Sequence, residues 1–226
     1  YEADRPEMRS SGYKDIDFVL TTRELAVMIK QAGIDFRTLE PAHYDSLMGS
    51  STGAAVIFGA TGGVMEAALR TAYEIVTGKP VPFKNLNIMP VRGMDGVKEA
   101  TVKIEGTTEE WRFLEGAELK VAIAHGLVNA NKVAKAVSTG KANYHFIEIM
   151  ACPGGCIGGG GQPIPTNVEV RQKRMDAIYS EDMHMDLRKS HENPEVIAIY
   201  NEFLEKPNGH KSHELLHTHY IERESY

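Results

Sequence analysis

The sequence contains very little cysteine: Cys152 and Cys156 are the only two among 226 residues. A small secreted domain held together by disulfides would contain more, so we expect this fold to depend on a buried apolar core. The sequence also has no apolar run long enough to span a bilayer. With 42% hydrophobic and 25% charged residues, the composition is that of one large globular domain or two small ones.

Positive charge is also scarce, with 25 Lys and Arg residues against 31 Asp and Glu residues, which gives a formal net charge of −6. No basic patch interleaved with aromatic residues is present, which argues against nucleic acid as a partner. The chain opens on Tyr1 in a polar segment that does not read as a signal peptide. We therefore expect it to be part of a longer protein located in the cytoplasm, with the periplasm as the alternative compartment.

Glycine, by contrast, is abundant around the two cysteines, which lie within residues 150–163. A loop rich in glycine brings backbone N–H groups close to a bulky, electron-rich ligand. Two thiolates on such a loop suit a soft metal, above all the iron of an iron–sulfur cluster. A cubane cluster usually requires four cysteines, so we expect half of the ligands to come from elsewhere.

Other interpretations of this loop remain open. A disulfide between Cys152 and Cys156 would close a tight loop. A single catalytic thiol would need a nearby histidine and would leave the second cysteine unexplained. A flexible linker is disfavoured because the apolar run 146–150 precedes the loop directly. Metal ligation is the interpretation that we favour.

The hydrophobic pattern predicts an α/β domain followed by a helical tail that begins near residue 166. A capping box formed by Thr21 and Glu24 should open the first helix. Predicted helices cover residues 25–31, 64–76, 129–138, 171–179, 181–189 and 195–205. Predicted strands cover residues 16–20, 54–58, 87–92, 100–105, 111–114, 119–124 and 144–150. Residues 34–48 should be irregular or form a short helix.

Four separated stretches, taken in order, resemble segments of the [FeFe]-hydrogenase family: residues 58–70, 146–163, 188–193 and 209–217. The stretch with both cysteines is similar to the third cluster-binding signature of that family. The last two are similar to its C-terminal segment, which in some members is a separate small subunit. The resemblance implies one lobe of the two-lobed catalytic domain, a mixed sheet flanked by helices, for residues 1–165. A small-subunit-like tail would form residues 166–226.

The resemblance further implies an H-cluster, which is a [4Fe–4S] cubane joined to a diiron unit that carries CO, cyanide and an azadithiolate. Cys152 matches a cubane ligand, and Cys156 matches the cysteine whose sulfur also bridges to the diiron unit. Four other residues match positions around the diiron unit: Phe58, Gly59, Val64 and Met150. Without the resemblance, Phe58, Val64 and Met150 would be read as ordinary core residues.

The sequence departs from the family in what it lacks. The other two cubane cysteines, the proton-donating cysteine and a lysine that binds cyanide are absent, and Glu2 matches the end of the signature that carries this lysine. The resemblance therefore implies the C-terminal half of a catalytic domain. Its partners would be the missing N-terminal lobe, upstream iron–sulfur relay domains, ferredoxin or another redox carrier, and other hydrogenase subunits.

The activity implied is the interconversion of H2 with protons and electrons. The alternatives are a Nar-like iron–sulfur assembly protein without a diiron unit, and a sensory hydrogenase. Residues 61–70 favour the hydrogenase because they resemble its version of this stretch. A phosphate-binding loop at Gly62 and Gly63 is disfavoured because no lysine follows at the required spacing. A zinc site remains an alternative for four histidines of the tail, which surface exposure explains more simply: His210, His213, His217 and His219.

Overall fold

A three-stranded mixed sheet lies at the centre of the computed structural model, which describes residues 2–9, 11–43 and 48–219. Strand β1 is Val97–Lys103, β2 is Glu118–His125 and β3 is Phe146–Met150. The central strand β2 pairs antiparallel with β1 and parallel with β3. A parallel pair needs a crossover connection, and helix α4, Leu127–Ser138, supplies it. The predicted α/β class with a mixed sheet is confirmed.

Helices surround this sheet and form the tail. The α-helices are α1 (Thr22–Gln31), α2 (Gly53–Val56), α3 (Gly63–Thr77), α4, α5 (Val168–His184), α6 (Pro194–Ile199) and α7 (His210–Leu216). Short 3-10 helices cover Glu2–Asp4, Pro6–Arg9, Phe36–Thr38, Ile57–Gly59, Lys84–Leu86, Met89–Val91, Glu109–Leu114, Cys156–Gly158 and Ser190–Glu192, and a π-helix covers Tyr200–Leu204. No helix in the described part of the chain is long and apolar enough to cross a membrane.

Local sequence signals determine where α1 and α3 begin and end. The predicted capping box at α1 is confirmed, because Thr21 N–H donates to Glu24 Oε2 at 2.8 Å and Glu24 N–H donates to Thr21 Oγ1 at 3.3 Å. Helix α3 ends at Gly78, whose φ of 66° is left-handed and favours glycine. The predicted helix over residues 64–76 is therefore confirmed.

Three apolar clusters form the core of the described residues, and the smallest joins α4 to the sheet through Ala122, Ala124 and Val133. The first packs α3 against the sheet and contains Met65, Leu69, Val81, Ile88, Val91, Val102, Val121 and Ile123. The second joins the segment before α3, the cysteine loop and α5, and contains Ile57, Ala60, Ile157, Met175 and Tyr179. The helical tail is thus packed on the domain by its first helix.

A network of buried charges ties α5 to α3. Arg70 and Asp182 have no exposed surface, and their side chains form two hydrogen bonds of 2.8 Å. Arg70 also donates to Glu66 at 2.6 Å, and Arg188 donates to Asp182 at 2.6 Å. Burial works to raise the pKa of Asp182, but hydrogen bonds from Arg70 and Arg188 and their charges prevail and hold it below its usual value. Arg92 completes the network through Glu66 Oε1 at 2.6 Å.

Several predicted strands are wrong. Residues 16–20 lack strand structure, and Phe18 is 86% exposed, so this apolar run has no sheet to join. Residues 54–58 form α2 and a 3-10 turn instead, because Thr52 accepts a hydrogen bond from Ala55 N–H and caps a helix. Residues 87–92 and 111–114 contain 3-10 turns. Short apolar runs of this kind do not distinguish strand from helix.

The remaining predicted elements are confirmed in full or in part. Residues 119–124 and 129–138 lie in β2 and α4, and residues 100–105 and 144–150 overlap β1 and β3. Residues 171–179 and 181–189 are not two helices, since α5 runs unbroken to His184. The side of α3 that faces the core includes Met65, which is fully buried, whereas Ile75 is 50% exposed. Residues 34–48 contain only a 3-10 turn where they are described, and residues 44–47 lie outside the described part.

Candidate metal centre

The cysteine loop begins where β3 ends at Met150. Cys152 is half-buried, Cys156 is exposed at the start of a 3-10 turn, and both thiols are free. The disulfide that the sequence left open is therefore not formed in the structure. Two unpaired thiols of this exposure are available to a metal ligand set.

Glycine is required in this loop because the backbone of another segment lies against it. Gly155 is buried and has a φ of 94°, and a Cβ atom there would lie 2.8 Å from Gly59 O and 2.9 Å from Thr61 N. Thr61 N–H donates to Gly154 O at 3.0 Å. The structure thus brings together residues 58–64 and the cysteine loop, which are far apart in sequence. The resulting surface has little side-chain bulk beside the thiols, which suits a cluster of several atoms.

His125, at the end of β2, binds the other backbone group of Gly154. Its Nδ1 accepts a hydrogen bond from Gly154 N–H at 3.1 Å. Its Nε2 lies 3.0 Å from Met94 O, so the imidazole is assigned as neutral with its proton on Nε2. Sequence reasoning missed this residue; its one signal is a histidine at the end of an apolar strand.

Glu148, in the middle of β3, anchors the turn that opens α3. Its carboxylate accepts hydrogen bonds from Gly62 N–H at 2.6 Å and from Met65 N–H at 2.7 Å. A carboxylate is favoured there because the first N–H groups of a helix have no partner within the helix. Glu148 was also missed as a site residue, although a single acid in the apolar run 146–150 was a visible signal.

Lys98 is the buried cation beside this carboxylate. Its ammonium donates to Gly93 O at 2.8 Å and to Thr61 O at 3.2 Å. Burial lowers the pKa of Lys98 to about 8, although Glu148 and Asp95 work in the opposite direction. The turn at residues 61–65 is therefore fixed by one buried anion and one buried cation.

Phe58 and Gly59 belong to the segment that contacts the cysteine loop, Val64 follows that segment and Met150 precedes the loop. Phe58 is 46% exposed, so its interpretation as an ordinary core residue is wrong. Gly59, Val64 and Met150 are partly exposed. Glu2 lies in the first 3-10 turn, where its carboxylate is 3.7 Å from Arg5. A group held by the cysteines would therefore meet apolar side chains that the described residues leave uncovered.

Two other groups of potential ligands occur in the described residues. Ligand atoms of Glu74, His191 and Glu192 lie within 4.8 Å of one another, but the ammonium of Lys189 already lies 2.7 Å from Glu74 and 2.6 Å from Glu192. Among the tail histidines, His213 Nδ1 and His217 Nδ1 are 2.5 Å apart, which is a direct contact between the two rings. The cysteine loop is thus the group whose ligands are unpaired and soft.

Comparisons with known proteins agree with this geometry. Residues 1–160 match the family model described as iron only hydrogenase large subunit, C-terminal domain, and residues 168–223 match iron hydrogenase small subunit. The NADP-reducing hydrogenase subunit HndD of Solidesulfovibrio fructosivorans is 51% identical over 99% of this chain and 36% of its own length. The periplasmic [Fe] hydrogenase large subunit of Nitratidesulfovibrio vulgaris is 54% identical over 80% of this chain and 40% of its own length.

A solved structure of apo [FeFe]-hydrogenase HydA1 from Chlamydomonas reinhardtii, in a variant form, superposes with a TM-score of 0.79 at 43% identity. It covers 97% of this chain, which in turn covers 59% of that structure. Protein NAR1 of Arabidopsis thaliana is 31% identical over 91% of this chain and 42% of its own length. The chain therefore spans less than two thirds of the length of each of these relatives.

Proposed function

This chain belongs to the iron-only hydrogenase family, and we propose that it forms one wall of an H-cluster site in an [FeFe]-hydrogenase. The protein would then interconvert H2 with two protons and two electrons. The observation that carries the proposal is the contact of Gly155 with the backbone of residues 59–61, which joins the cysteine loop to the family stretch at residues 58–70. We divide the chain into this lobe, residues 1–165, and the small-subunit-like tail, residues 166–226.

We propose that Cys152 ligates the cubane alone, and that the sulfur of Cys156 also joins the cubane to the diiron unit. A thiolate has lone pairs enough to bind two metal centres. The exposure of the cysteines supports this order, since Cys156 is exposed and Cys152 is half-buried. Two thiolates are half of the usual cubane set, so the other two ligands would come from protein outside these 226 residues.

Phe58, Gly59, Val64 and Met150 would form the wall beside the diiron unit. Apolar side chains exclude water from such a unit, and the thioether of Met150 is soft and polarizable. Their partial exposure supports this role, because a side chain that contacts an external group cannot be buried by its own chain. Glu2 would end a further signature whose preceding residues include the lysine that binds cyanide.

When bound, the H-cluster would supply the redox chemistry of H2. The residues described above would hold and orient it: Glu148 and Lys98 fix the turn before α3, and His125 and Thr61 fix the peptide of Gly154. The proton-donating cysteine would lie outside this chain. So would the relay clusters and the electron carrier, for which a ferredoxin is our candidate. We propose a cytoplasmic location, with the periplasm of one relative as the alternative.

An assembly protein of the Nar type is the second candidate, supported by the 31% identity with NAR1. It is less favoured because HndD is 51% identical over a larger share of the chain. A sensory hydrogenase would have the same site and differ in its partner domains.

Infrared spectroscopy of the anaerobically matured full-length protein tests this proposal. We expect CO and cyanide bands together with H2 turnover from a chemical reductant. Cys156→Ser should remove the bands and the activity while part of the cubane signal survives in electron paramagnetic resonance, because a serine oxygen is a poor bridge to a low-valent diiron unit. Cys152→Ser should retain a perturbed cubane and a trace of activity.

The two candidate functions give different results in this experiment. A wild-type protein with a cubane signal but no CO or cyanide bands would favour the assembly protein. If Cys156→Ser kept normal bands and Cys152→Ser lost them, the roles of the two cysteines would be reversed. The 226-residue chain alone, given iron, sulfide and the diiron precursor, should show no bands.

A further inference from the structure

Helix α5 lies behind the cysteine loop, although it belongs to the part of the chain that matches the small-subunit model, residues 168–223. Met175 and Tyr179 of this helix are buried in the cluster that contains Ile57, Ala60 and Ile157. Ile157 directly follows Cys156 in the loop. The small-subunit region and the cysteine loop therefore share one apolar core.

Arg174 of α5 connects the two ends of the glycine run. Its Nη1 donates to Ile157 O at 2.8 Å, and its Nη2 donates to Pro163 O at 2.7 Å. The four glycines 158–161 lie between these two carbonyl groups. Glycine loses more conformational entropy on ordering than any other residue, so a run of four is costly to hold in one conformation. The planar guanidinium holds its two donors in a fixed geometry, so it restricts the positions of the two ends of the glycine run.

Arg171, one turn earlier on α5, packs along the same loop. A Cβ atom at Gly158 would lie 2.7 Å from Arg171 Cδ, and one at Gly154 would lie 3.2 Å from it. Its Nη1 donates to Thr166 O at 2.6 Å, and its buried Nε has no hydrogen-bond partner. Two guanidinium groups thus lie behind a loop whose thiolates would carry negative charge.

We infer that Arg174 is a positioning residue for the cysteine loop. Residues 168–223 would then help to set the geometry of the metal site. The effect of Arg174 on a bound cluster rests on the proposed function, whereas its contacts with the cysteine loop do not depend on that function. Arg174 binds the carbonyl group of Ile157, the residue that directly follows Cys156, and it holds the glycine run that comes next, so the direction of the Cys156 thiolate depends on a side chain of the small-subunit region.

Three variants of the full-length protein test the inference. Arg174→Gln removes the charge and the planar pair of donors, and Arg174→Lys keeps the charge but loses the planar pair. Lys173→Gln is the matched control, because Lys173 is an exposed neighbour on the same helix. In the metal-free protein, amide hydrogen exchange of the peptide covering residues 157–163 should be about 10-fold faster or more in Arg174→Gln. Arg174→Lys should be intermediate, and the control should match the wild type.

In the matured protein, Arg174→Gln should broaden or shift the CO and cyanide bands and lower H2 turnover by about 10- to 100-fold, as the loss of groups that orient metal ligands does. Unchanged exchange at residues 157–163 in Arg174→Gln would overturn the inference. Faster exchange throughout the protein would also overturn it, because Arg174 would then be a general stabilising residue. Faster local exchange with normal CO and cyanide bands and normal H2 turnover would overturn it as well. Wild-type protein without CO or cyanide bands would refute the proposed function, and the exchange result would still decide whether Arg174 positions the loop.

Discussion

Replacing Asp182 by Asn removes the central anion of the buried network while hardly changing the size of the side chain. The carboxylate accepts two hydrogen bonds of 2.8 Å from Arg70 and bonds of 2.6 and 3.3 Å from Arg188. Asp182 and Arg70 have no exposed surface, so the guanidinium of Arg70 would remain buried with only Glu66 as a charged partner. Breaking one half of a buried pair costs about 3–5 kcal/mol.

Urea denaturation at pH 7 measures this loss. For a slope of about 2–3 kcal/mol per molar urea, the midpoint should fall by about 1–2.5 M. Asp35→Asn is the control, because Asp35 forms an exposed ion pair with Arg37 and should leave the midpoint unchanged. A midpoint for Asp182→Asn that lies within error of the wild type would refute the reasoning.

The pH dependence gives an independent check on the same carboxylate. Since the pKa of Asp182 is lowered in the folded protein, its stabilising contribution is complete above the unfolded pKa of about 3.9. The contribution is lost as the pH falls through the folded pKa. The stability gap between the wild type and Asp182→Asn should therefore be constant near neutral pH and shrink below about pH 4. A gap that widened in acid would contradict the assignment.

Three further results are expected. Glu148→Gln, compared with exposed Glu110→Gln, should lower the free energy of unfolding by about 1–3 kcal/mol in urea, because an amide oxygen satisfies only one of the two N–H groups of Gly62 and Met65; an unchanged midpoint would contradict this. The pKa of Lys98 is lowered to about 8, so the unfolded state binds more protons than the folded state between about pH 8 and 10. The free energy of unfolding of the wild type should therefore rise relative to that of Lys98→Met across this range. A fall in this difference would contradict the lowered pKa. The isolated 226-residue chain should self-associate in sedimentation experiments, and Phe58→Ser should reduce this, because Phe58 is 46% exposed on the uncovered face; a strictly monomeric chain would count against such a face.

Local signals in the sequence predicted the parts of the fold that depend on neighbours along the chain. The capping box at Thr21, the helix over residues 64–76 and the strand before the cysteine loop follow from short-range rules. The apolar spacing does not identify the buried side of α3, because that side includes Glu66 and Arg70. Burial of these charges depends on Asp182, which lies 112 residues after Arg70 and gives no signal in the local pattern.

The candidate site was predicted in the same uneven way. The cysteine loop and residues 58–64 were recognised from their glycines and cysteines, and the structure brings them together. His125, Glu148 and Arg174 were missed as site residues because each bonds to backbone groups. Such a bond needs only a donor or acceptor at the right place in space, and no particular partner residue marks it in the sequence.

The tie between α3 and α5 also has a consequence for the order of biosynthesis. Asp182 and Arg188 emerge from the ribosome after the whole sheet and α3. Arg70 therefore lacks two of its hydrogen-bond acceptors, the Asp182 carboxylate and Arg188 O, until the tail has been made. A chain whose tail is incomplete would keep an underpaired guanidinium in its interior, and cellular proteases would remove it preferentially. Arg70 thus makes the stability of α3 and the sheet depend on completion of the tail.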